Sequence, residues 1–246
     1  MPARGASNSQ KKVLLQIRDK EYPVNGTLNF LIIMKVTRCW HKKKLTGEHA
    51  AEPVIAYQIR NALYLNITNR CSNVCVFCPK FGEYKLYGNN LLLEVEPSFE
   101  EVMAAIGDAT EFDEIVFCGF GESLIRLDLV VRIAQELMRH YNGPIRINTD
   151  GQANLVHGRN IIPELAGLVD CISVSLNAPD ADTYMRLCNT PFGADGFLAV
   201  CDFIRLATKQ IPDVIASVVN VPGIDLDACR ELAQSLGASF RVRELS

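Results

Sequence analysis

No apolar run in this chain approaches the ~18 residues that a membrane-spanning helix requires. The longest candidate, Phe30-Leu31-Ile32-Ile33-Met34, is broken by Lys35. No secretory signal precedes the nine cysteines, an odd count. A chain of 246 residues is also too long to need staples, so a disulfide framework is not expected. Aromatic residues make up only 8% and are not interleaved with the basic ones, which argues against a nucleic-acid surface. Residues 1–50 carry ten Lys/Arg against three Asp/Glu, while the remainder carries 15 against 25. We read residues 1–54 as a basic extension outside the core, the competing explanation being a start assigned too far upstream. Residues 55–246 then form one large domain, a size that a single α/β barrel commonly has. Reduced thiols and the absence of a span lead us to expect a cytoplasmic protein with no membrane partner.

What the chain does have is a dense group of thiols. Cys71-Ser72-Asn73-Val74-Cys75-Val76-Phe77-Cys78 places three cysteines within eight residues, just after the alternating segment Ala62–Thr68. Three thiols this close point to a shared metal centre, and soft thiolates select iron–sulfur clusters, zinc or Cu(I). A [4Fe–4S] cluster normally takes four cysteines. Three would leave one iron open, as a catalytic metal needs and a structural one avoids. A closed zinc site would need a fourth donor, for which Cys39, His41 and Cys118 are the nearest. Cys118, Cys171, Cys188, Cys201 and Cys229 fall singly in apolar or amphipathic segments and read as small buried hydrophobes.

From residue 60 onward strand-like and helix-like segments alternate. The strand-like runs are Ala62–Thr68, Glu114–Cys118, Ile145–Thr149, Cys171–Leu176, Val214–Val221 and Phe240–Glu244. Helical patterns fill the gaps, beginning with Ser98–Ala109, which opens on a capping box. Alternating β and α units predict a parallel sheet wrapped by helices, and six of them an α/β fold of the partial (β/α)6 TIM-like barrel type. In such folds chemistry sits at the C-terminal ends of the strands, where the three cysteines and the turn Gly119-Phe120-Gly121-Glu122 lie. Alternation also sets Arg146, Asn148 and Asp150 on one face of the third strand, and Ser173, Ser175 and Asn177 on one face of the fourth. The fifth and sixth add Ser217, Asn220, Arg241 and Arg243. Polar groups on a covered sheet need partners.

The spacing Cys-x3-Cys-x2-Cys, with Phe77 before the third Cys, resembles the signature of radical S-adenosylmethionine (radical SAM) enzymes. The wording of Tyr64–Cys78, Glu114–Glu122, Arg146–Gly158 and Ser173–Cys188 is similar to the TatD-associated members of that family, with Asp150 where Asn is expected. The resemblance covers about residues 55–245. It implies the barrel fold and a [4Fe–4S] cluster held by Cys71, Cys75 and Cys78. It also implies SAM on the open iron, cleaved to methionine and a 5′-deoxyadenosyl radical that takes hydrogen from a substrate. Phe77 would lie near the adenine. Gly119, Phe120, Gly121 and Glu122 would hold the methionine ammonium, and Asn148, Asp150, Ser173, Ser175 and Asn177 would face the ribose and carboxylate. An electron donor such as flavodoxin or ferredoxin, a TatD-type hydrolase partner and a small-molecule substrate are the corresponding expectations. No second cysteine cluster or cobalamin domain is evident. Glu83, Glu94, Glu96 and His157 are the acid–base candidates near the site. Two other classes compete: a non-catalytic iron–sulfur redox or sensor protein, and a zinc-stabilised binding module on the basic arm.

Overall fold

The computed structural model describes residues 52–81 and 85–245. Cys39, His41, the Phe30–Met34 segment, the rest of the basic arm and Glu83 lie outside the described residues. The seven-stranded sheet runs in the order β1 (Ala56–Ile59), β2 (Ala62–Leu65), β5 (Glu114–Phe117), β6 (Ile145–Thr149), β7 (Cys171–Ser175), β8 (Asp213–Val219) and β9 (Ser239–Arg243). A two-residue ladder, β3 (Lys85–Leu86) with β4 (Asn89–Asn90), stands apart. Within the large sheet β2 pairs in parallel with β5, and from β5 to β9 each strand pairs in parallel with the next. These are the six expected βα units, wound in sequence order. β1 and β9 remain edges, so the sheet is an open one. β1 is antiparallel to β2 across the turn at Arg60-Asn61, an addition that the periodicity did not reveal.

The helices between the strands are α1 (Phe99–Ile106), α2 (Leu127–Leu137), α3 (Ala153–His157), α4 (Ile162–Leu165), α5 (Ala181–Cys188), α6 (Ala194–Ala207) and α7 (Leu226–Ser235). Local chemistry sets their ends. Ser98 and Glu101 form the expected capping box, but Gly107, at φ +63°, stops α1 short of Ala109. Asp180 and Asp225 cap α5 and α7 by accepting from the amides of Thr183 and Ala228. No helix among the described residues is long and apolar enough to cross a membrane.

The two faces of the sheet differ in chemistry. Ile115, Phe117, Ile147, Ile172, Val174, Val214, Ala216 and Val218 point to the helices and form the core with Val130, Ile133, Phe197 and Phe203. The inner face carries the alternate residues. Tyr64, Val116, Arg146, Cys171 and Asp213 share one level of the register, and Asn148 and Ser173 the next. This inner face is polar although covered, so its groups pair with one another. Arg146 makes a two-pronged ion pair to Glu114 (2.8 Å each) and donates to Asn148 Oδ1 at 2.8 Å.

Candidate functional site

The cysteine loop lies at the C-terminal ends of the parallel strands and is held there by contacts far apart in sequence. Ser72 donates its hydroxyl to Asp150 just past β6. Asn73 is gripped at both ends of its amide: Nδ2 donates to Tyr184 Oη (3.1 Å) on α5, and Oδ1 accepts from Gln152 Nε2 (2.6 Å). Gln152 also donates to Tyr184 Oη and accepts from Thr190 Oγ1. The backbone amides of Val74 and Val76 donate to the carbonyls of Cys188 and Leu187. A polar loop of this kind stays in one place only because each buried group is satisfied.

The turn after β5 presses against the same loop. Cys118 N donates to Leu65 O (3.1 Å), and Glu122 N to Arg70 O (2.7 Å). A Cβ on Gly119 would meet Asn66 Oδ1 at 2.1 Å, and one on Gly121 would meet Thr68 O at 2.4 Å and Arg70 O at 2.5 Å. Both glycines therefore serve a close approach between two stretches of chain. From sequence their bareness reads as room for a ligand; here the neighbour is the segment after β2 that leads into the cysteines. The Phe120 side chain turns away into a small apolar cluster with Tyr57 and Leu91, so only its backbone faces the turn.

Glu122 is buried and already serves three donors: Leu124 N (2.9 Å), Thr149 Oγ1 (3.0 Å) and Asp150 N (2.5 Å). Asp150 accepts from Gln152 N (2.9 Å) and from the thiol of Cys71 at 3.9 Å. Burial, then the charge of Asp150, pushes the Glu122 carboxyl well up; burial likewise raises Asp150. The structure thus brings Cys71, Glu122 and Asp150 together, and sets Ser175, which accepts from Arg243, and Asn177, which contacts the Cys188 thiol at 3.8 Å, on the same side. Ser173 is buried on the inner face, and its side chain makes no hydrogen bond within the described residues. Phe77 is half-buried against the main core.

Among the acid–base candidates, Glu96 forms a two-pronged pair with Arg70 (2.7 and 2.8 Å) and accepts from Thr68, which makes it a brace of the loop. His157 Nε2 bonds the Leu124 carbonyl at 2.8 Å, and Glu94 is exposed. Neither reaches the thiols through a described contact. Ser72, Asn73, Gln152 and Tyr184 brace the cysteine loop yet carry no local sequence signal, because these partners are 32 to 111 residues apart.

All three thiols are free and half-buried. Burial, then the neighbouring carboxylates, keeps the Cys71 thiol neutral; the hydrogen bond with Cys188, then burial, raises Cys75; burial raises Cys78. Among the described residues, the charges that favour thiolates are Arg243 near Cys75 and Lys80 near Cys78. Soft metal cations would supply the rest. Among the described residues no three Cys, His, Asp or Glu side chains converge on one ion-sized point. Cys71, Cys75 and Cys78 are soft donors of the kind that iron–sulfur clusters take.

An open parallel α/β barrel with a thiol loop and a polar inner face at the C-terminal ends of its strands defines a class of cofactor-dependent enzyme. Residues 65–236 match the family model described as Radical SAM superfamily, and the chain belongs to that superfamily, whose members use a [4Fe–4S] cluster and S-adenosylmethionine. The likeness reaches solved structures only faintly. One is a radical SAM methyltransferase from Sphaerobacter thermophilus, 15% identical with a TM-score of 0.49, covering 77% of this chain and 68% of that one. Another is archaeal TYW1, 10% identical with a TM-score of 0.48, covering 97% of this chain and 82% of that one. No curated protein matches. The family is shown at superfamily level, and the TatD-associated group is not distinguished within it.

Proposed function

We propose that this chain is a radical SAM enzyme in which Cys71, Cys75 and Cys78 hold the cluster and the inner face beside them holds SAM. The observation that carries the reading is the pinning of a three-thiol loop, by Ser72, Asn73 and two backbone bonds, over the strand ends where Ser173, Ser175 and Asn177 stand. Bound together, the cluster and SAM supply a 5′-deoxyadenosyl radical able to take a hydrogen atom from a C–H bond. The protein's part is binding, orientation and exclusion of water. Ser173 has a hydroxyl to offer a ribose. Glu122 holds its place through three amide or hydroxyl donors and acts on SAM through the remaining lone pair or through the backbone of 119–121.

At the opposite end of the inner face, a cavity of about 320 Å³ is lined by Glu114, Arg146, Asp170, Cys171, Asp213 and Arg241. It lies at the N-terminal ends of the strands, away from the thiols, and so does not define the substrate of this site; a small-molecule substrate in preference to a nucleic acid rests on the sequence alone. A flavodoxin- or ferredoxin-like electron donor and a TatD-type hydrolase partner belong to the same reading and rest on the sequence resemblance alone. A non-catalytic iron–sulfur protein would hold its cluster but leave SAM intact. Anaerobic reconstitution, followed by EPR of the reduced cluster with and without SAM, separates the two. A spectrum changed by SAM supports an open iron; an unchanged one sinks it.

A further inference from the structure

Cys188 ends α5, and the cysteine loop is laid across that end. Val74 N donates to Cys188 O (3.1 Å) and Val76 N to Leu187 O (2.9 Å), so the two bonds bracket Cys75. The two residues are thereby set side by side, and the Cys188 side chain acts on the Cys75 thiol. Cys71 instead faces Asp150. Cys75 is half-buried, whereas Cys188 is fully buried, in contact with Asn177 Nδ2. A buried thiol beside a cluster ligand, on a separate element and outside the Cys-x3-Cys-x2-Cys spacing, is not required by a three-cysteine cluster.

We propose that Cys75 and Cys188 are a disulfide site of the cluster-free protein, and that the bond ties a cluster ligand to the end of α5 and blocks cluster insertion. This rests on the reading of Cys75 as a ligand. With hydrogen peroxide as oxidant the balance is complete. Cys75, the less buried of the two residues, gives up its S–H proton and forms an S–O bond as the O–O bond breaks, and that proton leaves with the displaced hydroxide as one water. The Cys188 sulfur then attacks Cys75, the S–O bond breaks, the Cys188 proton leaves with the hydroxyl as a second water, and an S–S bond forms. Two thiols are oxidised by two electrons and one peroxide is reduced to two waters. A dithiol reverses the bond by exchange.

The test uses the full chain, freed of metal under reducing conditions and then treated with one equivalent of hydrogen peroxide. Peptide mapping should find Cys75 joined to Cys188. The oxidised protein should lose the ability to take up iron and sulfide, and dithiothreitol should restore it. C188A and C188S, kept reduced, should load the cluster as the parent does and give no such cross-link. Cross-links confined to Cys71, Cys75 and Cys78, or none, would overturn the proposal. So would a reduced C188S that loads no cluster while the parent loads it, because Cys188 would then be part of the cluster site. If the reduced parent itself took up no iron and sulfide, the cluster reading would fail, whatever the peptide map showed.

Discussion

Tyr184 is the most informative place to perturb the site without touching a ligand. Its ring is fully buried and packs on Phe197 with centroids 5.7 Å apart. Its hydroxyl oxygen accepts from Asn73 Nδ2 (3.1 Å) and Gln152 Nε2 (3.0 Å). Tyr184→Phe keeps the ring and its packing but strands two buried amide N–H groups, one of them on the cysteine loop. Leaving a buried donor unsatisfied costs about 1–3 kcal/mol. Some relaxation of Gln152 toward Thr190 offsets part of that, so we expect a loss of about 2 kcal/mol. For a domain of this size that is a fall in Tm of about 4–8 °C. Because the freed group lies between Cys71 and Cys75, the reconstituted variant should also surrender iron to a chelator faster than the parent. Tyr141→Phe is the control. It removes one hydrogen bond, to the Phe112 carbonyl, away from the loop, and should leave iron loss unchanged. A Tyr184→Phe protein with parental melting and parental iron loss would refute the claim that this network holds the cysteine loop in place.

Gly121→Ala should be worse than an ordinary surface substitution. Its Cβ would lie 2.4–2.5 Å from two backbone carbonyls that cannot swing aside, and overpacking of this kind costs about 1–3 kcal/mol. Calorimetric melting of the metal-free protein measures it, and an unchanged Tm would show that the turn yields. Glu96 gives the pH dependence. Burial raises its carboxyl, but the hydrogen bonds from Arg70 and Thr68 outweigh it and hold the pKa below the ordinary 4.5. A depressed acid contributes stability that is present above the unfolded value and lost as pH falls through the folded one. Parent and Glu96→Gln should therefore differ in Tm at pH 6 and converge as the pH drops below about 4; a constant gap would mean that the pair adds nothing through its charge.

The strands were legible because one side of each must face the helices. Ile115 and Phe117, Ile147, and Ile172 and Val174 alternate with the inner residues as the pattern requires. The cysteine loop was legible from spacing alone. β1 was not, since four residues at a sheet edge make too short a period to register. The five residues of α3 failed for the same reason. The supports of the site were hidden for a different cause: Asn73 and Tyr184 are 111 residues apart, and only the wound sheet brings them together. Glycine was the subtlest case. Gly119 and Gly121 signal that something approaches closely, and nothing in the sequence says whether that is a ligand or the protein's own backbone.

The most direct test of the account is reductive cleavage of SAM by the anaerobically reconstituted chain, measured as 5′-deoxyadenosine formed with dithionite. The parent protein should form it. Cys71→Ala, Cys75→Ala, Cys78→Ala and the triple variant should all lose it to the same extent, because residues acting as one unit are not additive. Cys118→Ala and Cys229→Ala should retain it. Intact SAM with a fully loaded parent, or equal turnover in parent and Cys75→Ala, would contradict the assignment.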